Sequence, residues 1–225
     1  MKAEVLIADS ELCKRIKTTE AVNWVASLLK RFHGSENDKQ CLILKQRPVK
    51  EIIDELIPLS KYAQHEYNDN DIYLQFYPGS KTSYDAEFID NAGSVIERVE
   101  VTMAINGQQK KIQAEHLIKY GHTSIFDTPD YRGPVDNREL AEYESTVKSS
   151  DVIIEEQAVL LQQAYDNKQK QLHKYPNITL LIGLDVPLLM KSEYQQIIDK
   201  LKIKKITFNS IKCLSICGHH YTCLL

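Results

Sequence analysis

The sequence predicts an α/β (α+β) chain in which a mixed central sheet of about five strands is flanked by helices. Three observations carry this. Apolar and polar residues alternate with a period of two on both sides of Asn91-Ala92-Gly93-Ser94, the pattern of a β-hairpin spanning Ser83 to Met103. Ile178 to Leu184 is an apolar run of strand length, as expected for a strand covered on both faces. Around these lie stretches with helical periodicity and capping residues.

In chain order, a helix is expected from Ser10 to Phe32, with Ser10 as N-cap and Leu12, Ile16, Val22, Val25, Leu28 and Leu29 as its apolar stripe. Trp24 belongs with that stripe as a core residue. His33 to Asp38 has loop composition, so residues 1–45 read as a helical extension to a core of residues 46–225. A second helical stretch runs from Pro48, suited to a first turn, to Tyr67, and Pro58 should kink or split it. Asn68 to Asp71 is a turn and Ile72 to Tyr77 a short strand, followed by the hairpin. Gly107 to Tyr120 is expected as a helix closed by Gly121, and Asp127 to Pro134 as a loop. A long helix fits Asn137 to Tyr175, broken near Ser149-Ser150. After the strand Ile178–Leu184, a helix from Ser192 to Leu201 and a strand from Lys205 to about Ile216 complete the core.

Composition narrows the function. The 225 residues are 43% hydrophobic and 26% charged, ordinary for a soluble globular protein. No run approaches the roughly 18 apolar residues that span a bilayer, and Glu4 interrupts the short apolar start, so a cytoplasmic protein with no membrane partner is expected. A net charge of −3 gives no global basic field, although Lys110-Lys111 and the Lys200–Lys205 run are local patches. The five cysteines form no regular framework and read as thiols. The Cys213, Cys217, His219, His220 and Cys223 spacing matches no closed zinc framework. With no glycine-rich phosphate loop, Gly-x-Ser-x-Gly elbow or Cys-x-x-Cys pair, nucleotide-triphosphatase and nucleophilic-hydrolase chemistry has no residues to stand on.

The hairpin carries the strongest functional signal. Placing Tyr84, Ala86 and Phe88 on the same face as Val99, Val101 and Met103 sets Tyr84 opposite Val101, Ala86 opposite Val99, Glu87 opposite Arg98 and Ile89 opposite Ile96. A three-residue Asn-Ala-Gly loop with a bulge is the rival, and it would slip the register by one. In the apolar-row register Asp85 faces Glu100, two like charges about 5 Å apart. Such a pair either shares a proton or shares a cation, for which the hard ions Mg²⁺ and Mn²⁺ are suited. Elsewhere, His116 and His122 read as a surface histidine and a neighbour of the helix-capping Gly121, and Gln157, Gln162 and Gln163 as solvated helix positions.

Three consecutive strands with Asp85 on the second and Glu100-Val101-Thr102 on the third, then a helix containing Ala164-Tyr165-Asp166-Asn167-Lys168 and a strand at Ile178–Ile182, resemble the PD-(D/E)XK nuclease superfamily. The resemblance covers roughly residues 46 to 216 and implies a restriction-endonuclease-like fold. It implies a Mg²⁺ or Mn²⁺ ion held by Asp85 and Glu100, with Glu51 or Glu55 of the Pro48 helix as a further ligand. A lysine two residues after the Glu positions the attacking water in that family, and Thr102 stands there instead. Lys168 on the following helix or Lys81 before the second strand would take that role. The function so implied is metal-dependent hydrolysis of nucleic-acid phosphodiesters, DNA before RNA, with a homodimer as an assembly common among enzymes that cut both strands. The alternative is a catalytically degenerate nuclease-like fold acting as a binding or regulatory module.

Overall fold

The structure, a computed structural model, describes residues 7–68, 71–79, 82–124, 131–132, 139–140, 148–171, 177–186, 189–203 and 208–224. Its chain order is α1 (Asp9–Leu12), β1 (Ile16–Lys17), α2 (Ala21–Lys30), α3 (Glu36–Ile43), α4 (Val49–Glu51), a π-helical turn (Ile52–Leu56) and α5 (Ile57–Glu66). Strands β2 (Ile72–Phe76), β3 (Ala86–Asp90) and β4 (Val95–Met103) precede α6 (Gly107–Tyr120) and the short strands β5 (Tyr131–Arg132) and β6 (Glu139–Leu140). Then come α7 (Ser150–Gln171), β7 (Ile178–Leu184), α8 (Lys191–Asp199), β8 (Ser210–Ser215) and β9 (Tyr221–Cys223).

The main sheet has seven strands, not about five, in the order β1-β2-β3-β4-β7-β8-β9. β1 to β4 are antiparallel, β4-β7 and β7-β8 parallel, and β8-β9 antiparallel. The two additions are the short edges β1 and β9, whose two and three residues are too few for alternation to register. Helices cover both faces. Val99, Val101, Leu181 and Leu214 join the apolar residues of α1, α2 and α5 in one core, while Leu180, Ile182, Ile211 and Cys213 join those of α7 and α8 in the other. β7 is buried at all seven positions, as its apolar run predicts. Ile7, Leu12, Val25, Leu28, Phe32 and Cys41 belong to the first core, so the N-terminal segment packs into the same body as the sheet. Among the described residues no helix is long and apolar enough to cross a membrane.

Several expectations are corrected. The single helix from Ser10 to Phe32 is divided, because Ile16 and Lys17 leave it to pair with Leu74 and Tyr73. His33 to Asp38 holds a helix start rather than only a loop: the Ser35 Oγ accepts from the Asp38 N–H at 3.2 Å, and the Ser35 N–H donates back to Asp38 Oδ2 at 2.9 Å. Of the long helix from Asn137, only Ser150–Gln171 is helical, and Glu139–Leu140 pairs with Tyr131–Arg132. Residues 125–130, 133–138 and 141–147, with parts of the predicted loop and helix, lie outside the described residues.

The hairpin satisfies both competing registers at once. At its tip the Asp90 N–H donates to Ser94 O at 3.0 Å around Asn91-Ala92-Gly93, with Gly93 at φ 89°. That is the three-residue loop with its left-handed glycine. A bulge between Phe88 and Ile89 then takes up the slip: Ile89 faces Val95 and Phe88 faces Glu97, leaving Ile96 as the extra residue, 47% exposed. Below the bulge the apolar-row register holds, with Glu87 opposite Arg98 and Ala86 opposite Val99. The expected Ile89–Ile96 pair does not form.

Candidate active site

Asp85 sits one residue before β3, where the ladder gives way. Its N–H donates to Val99 O at 2.9 Å, its carbonyl accepts from the Tyr77 N–H at 2.8 Å, and its carboxylate Oδ2 accepts from the Val101 N–H at 2.7 Å. The side chain is thus locked across the start of the strand by the backbone on either side of Glu100. Glu100 alternates with Val99 and Val101, so it points to the α7 face, where Lys168 forms an ion pair with Glu100 Oε1. The two side chains are 20% and 13% exposed. Asp85 and Glu100 lie close enough for the charge of Asp85 to favour a proton on Glu100.

Glu55 approaches from the helix before the sheet. Pro58 has no N–H to donate to the carbonyl of residue 54, and the helix widens there into the π turn Ile52–Leu56 instead of ending. Burial raises the Glu55 carboxyl from its ordinary 4.5 to about 8, helped by the negative charges of Asp85 and Glu51. Burial also raises Glu100, with the charge of Asp85 adding to it and Lys168 opposing. Asp85 is raised by burial too, against the Val101 N–H and the Lys168 charge, which favour its ionised form. Three neighbouring carboxyl groups therefore hold protons more tightly than carboxyls in water do.

The remaining predicted residues fall as follows. Glu51 accepts from Arg47 Nε at 2.9 Å, while its Oε2 is buried with no hydrogen-bond partner among the described residues. Arg47 also reaches Asp9, tying α1 to this corner of the molecule. Thr102 lies two residues beyond Glu100 on β4, opposite Ile182. Lys81 lies outside the described residues. Lys168, one of the two lysines expected to replace the one missing at Thr102, lies beside the carboxylates.

The comparisons add no relative. The chain matches no family model, no curated protein and no solved structure.

The donor set offers only carboxylate oxygens, which suits a hard divalent ion. Among the described residues, however, no group of three or more His, Cys, Asp or Glu side chains is placed to hold a metal ion. Asp85 and Glu100 would supply two ligands, with the rest of a coordination shell left to water and phosphate, as Mg²⁺ sites commonly arrange.

Other polar constellations resolve as structure. His116 is fully buried rather than on the surface, its Nδ1 2.7 Å from His122 O. Gln162 clamps the Lys202 backbone through both ends of its amide, at 2.8 and 3.2 Å. Cys213 is buried, where desolvation pushes its thiol up to about 12, while His220 stacks on Tyr194 and meets Leu189 O at 2.9 Å. One half-buried group escaped sequence reading: Glu97 accepts from Tyr62 Oη at 2.8 Å and Tyr67 Oη at 2.7 Å, and from Thr179 Oγ1. Its partners lie 30 to 82 residues away, so no local pattern announces them.

Proposed function

We propose that this protein is a divalent-metal-dependent nuclease that hydrolyses nucleic-acid phosphodiester bonds at Asp85, Glu100 and Lys168. The observation that supports this most is the convergence of two neighbouring carboxyls and a lysine ammonium from three separate segments of the chain. It sits in a helix-βββ-helix-β order in which β4 and β7 run parallel, the order expected from the resemblance to PD-(D/E)XK nucleases. Asp85 and Glu100 hold the ion. Bound there, Mg²⁺ or Mn²⁺ acts as a Lewis acid toward the phosphate and lowers the pKa of a water molecule.

The protein's own groups do the rest. Glu100 and Asp85, whose burial favours their protonated forms, would ionise to become a dianionic seat, and the Val101 N–H fixes which Asp85 oxygen stays turned toward the strand. Lys168, beside Glu100, would hold the attacking water and face the phosphate charge, the task that Thr102 cannot perform without a charge. Glu55, protonated near neutral pH by its burial, is placed to give up a proton or, once ionised, to serve as a further ligand. DNA is the preferred substrate class and a homodimer the proposed assembly for double-strand cleavage.

A second reading has an observation in its favour. The Lys168–Glu100 ion pair already satisfies Glu100, and no three-ligand group exists among the described residues. On that reading the domain is a degenerate nuclease fold that binds a partner without cutting. Plasmid and RNA cleavage in Mg²⁺ or Mn²⁺ separates the two. Cleavage lost in both Asp85→Asn and Lys168→Met supports the enzyme, and full cleavage by Asp85→Asn rejects it.

A further inference from the structure

A second cation stands at the rim of the Asp85 site. Arg47, two residues before α4, forms an ion pair through Nε with Glu51 Oε1 at 2.9 Å. Glu51 ends α4 and Glu55 lies in the π turn that follows, and the charges of Asp85 and Glu51 both act on Glu55. The other end of the guanidinium rests on Gly79, where a Cβ would come within 2.5 Å of Nη2. Gly79 has a φ of 60°, which glycine adopts without strain, so one residue both makes the turn and leaves room for Arg47. Two residues earlier, the Tyr77 N–H donates to the Asp85 carbonyl at 2.8 Å. Arg47 is thus fixed between two segments that both lead to the carboxyl site.

The guanidinium is anchored on one side and loosely held on the other. Glu51, its side chain 13% exposed, fixes Nε. Asp9 of α1 meets Nη2 at 3.4 Å, and the two side chains there are 58% and 63% exposed. Such an exposed, long pair is weak, because water competes for both charges. Nη1 makes no hydrogen bond among the described residues. An arginine fork with one edge anchored and the other open to water suits a phosphate, whose oxygens take parallel N–H donors. The chain's net charge of −3 gives no global basic field, so phosphate binding depends on a few cations placed as this one is.

We infer that Arg47 grips a backbone phosphate of the nucleic-acid strand that crosses the Asp85 site, and that Asp9 holds the place of that phosphate until the strand arrives. A carboxylate and a phosphate present similar paired oxygens to a guanidinium, so one replaces the other while the Glu51 anchor stays in place. This grip rests on the proposed function only in that nucleic acid must pass the Asp85 site. Arg47 is a positioning residue for the strand and takes no part in the proton transfers.

Fluorescence anisotropy of the full chain with a labelled DNA duplex of about 20 base pairs, in chelator and over roughly 50–300 mM salt, tests this. Arg47→Gln should bind about tenfold more weakly at low salt and flatten the slope of log K against log salt by about 0.9, the signature of one phosphate contact. Arg47→Lys, which keeps the charge, should keep the slope. Asp9→Asn should tighten binding by about two- to fivefold, since it removes the competing carboxylate. Adding Glu51→Gln to Arg47→Gln removes the carboxylate charge that the first change uncovers, and the slope should still be low. An unchanged slope in Arg47→Gln, a wild-type slope in the double variant, or weaker binding by Asp9→Asn overturns the assignment. So does a wild type that binds no duplex with chelator or with Mg²⁺. Cleavage of the same duplex in Mg²⁺ decides the nuclease reading separately. Arg47-dependent binding without cleavage upholds the grip alone, and cleavage with an unchanged slope in Arg47→Gln upholds the nuclease alone.

Discussion

Lys168 on α7 and Glu100 on β4, 68 residues apart in sequence, meet as an ion pair beside Asp85. The helix α7 lies over the sheet through Ile154, Leu161 and Tyr165, which share a core with Leu180 and Ile182 of β7. That packing delivers the ammonium to the strand that carries Glu100. Three influences then compete at Glu100: burial and the charge of Asp85 favour a proton, and Lys168 favours its loss. The carboxyl pair is left poised to exchange a proton for a cation.

Replacing Lys168 by Met tests that balance. Without the ammonium, Glu100 becomes harder to ionise. Cleavage should fall by about 10²–10⁴-fold, the range for losing a group that manages the proton of the nucleophile. Stability should drop by about 1–2 kcal/mol at pH 8, where wild-type Glu100 is ionised and paired, and by less at pH 6, where it already holds a proton. Thermal melting at the two pH values and a Mg²⁺ cleavage assay measure both effects. A uniform loss of stability at both pH values would mean that Lys168 acts through packing alone.

Metal binding should itself depend on pH. An ion at Asp85 and Glu100 competes with protons for carboxyls that burial raises, so binding should weaken as pH falls. Mn²⁺ at about 100 times its Kd stabilises the folded state by about 2.7 kcal/mol. The corresponding rise in melting temperature should be larger at pH 8.5 than at pH 6, and absent in Asp85→Asn at either. A rise of the same size in Asp85→Asn would place the ion elsewhere.

Much of this site could be read from sequence because it depends on alternation. The apolar rows of the hairpin put Ala86 opposite Val99 and Glu87 opposite Arg98, and Asp85 and Glu100 follow as the next residues along. The loop chemistry of Asn91-Ala92-Gly93 pointed to the rival register with equal physical reason. Only the bulge at Ile96, a tertiary compromise, lets both operate. The Lys168–Glu100 pair was nameable as one of two options, because helix order is legible but the rotation of α7 over the sheet is not. The capping box at Ser35 and Asp38 was a local signal hidden by a serine-, glycine- and asparagine-rich stretch that also suits a loop. The strands β1 and β9 and the Glu97 hydroxyl network are long-range, and no sequence window contains their partners.

Glu87 provides a structural contrast to the active carboxyls. Only 7% exposed, it accepts from Tyr77 Oη at 2.8 Å, Tyr84 Oη at 2.9 Å and Arg98 Nε at 3.1 Å. Burial would raise its carboxyl, but these donors outweigh burial and hold it below the ordinary value. A lowered carboxyl contributes stability at neutral pH that is lost as pH falls below about 4.5. Glu87→Leu should cost about 2–4 kcal/mol by leaving two hydroxyls and a guanidinium without their acceptor. The melting temperature should fall by about 5–15 °C at pH 7, with a smaller gap between mutant and wild type at pH 3. Unchanged melting at pH 7 would show that water replaces the carboxylate freely.

Glu55 should behave in the opposite sense. Its carboxyl rises from 4.5 to about 8 in the folded chain, first through burial and then through Asp85 and Glu51. Between those two values the folded state binds a proton that the unfolded state has released. Its neutral form is therefore fully stable below pH 4.5, and the chain loses stability steadily as pH rises toward about 8. The total loss from this group is about 4 kcal/mol at pH 8 and above. Glu55→Gln keeps the size of the side chain and removes the titration. The variant should match wild type near pH 5 and melt about 8–16 °C higher at pH 8.5 in the presence of chelator. Added Mn²⁺ should narrow that gap, since a cation near Asp85 offsets the same negative charge that raises Glu55. Parallel pH profiles for wild type and Glu55→Gln would place Glu55 in water, and with it remove the third carboxyl from the site.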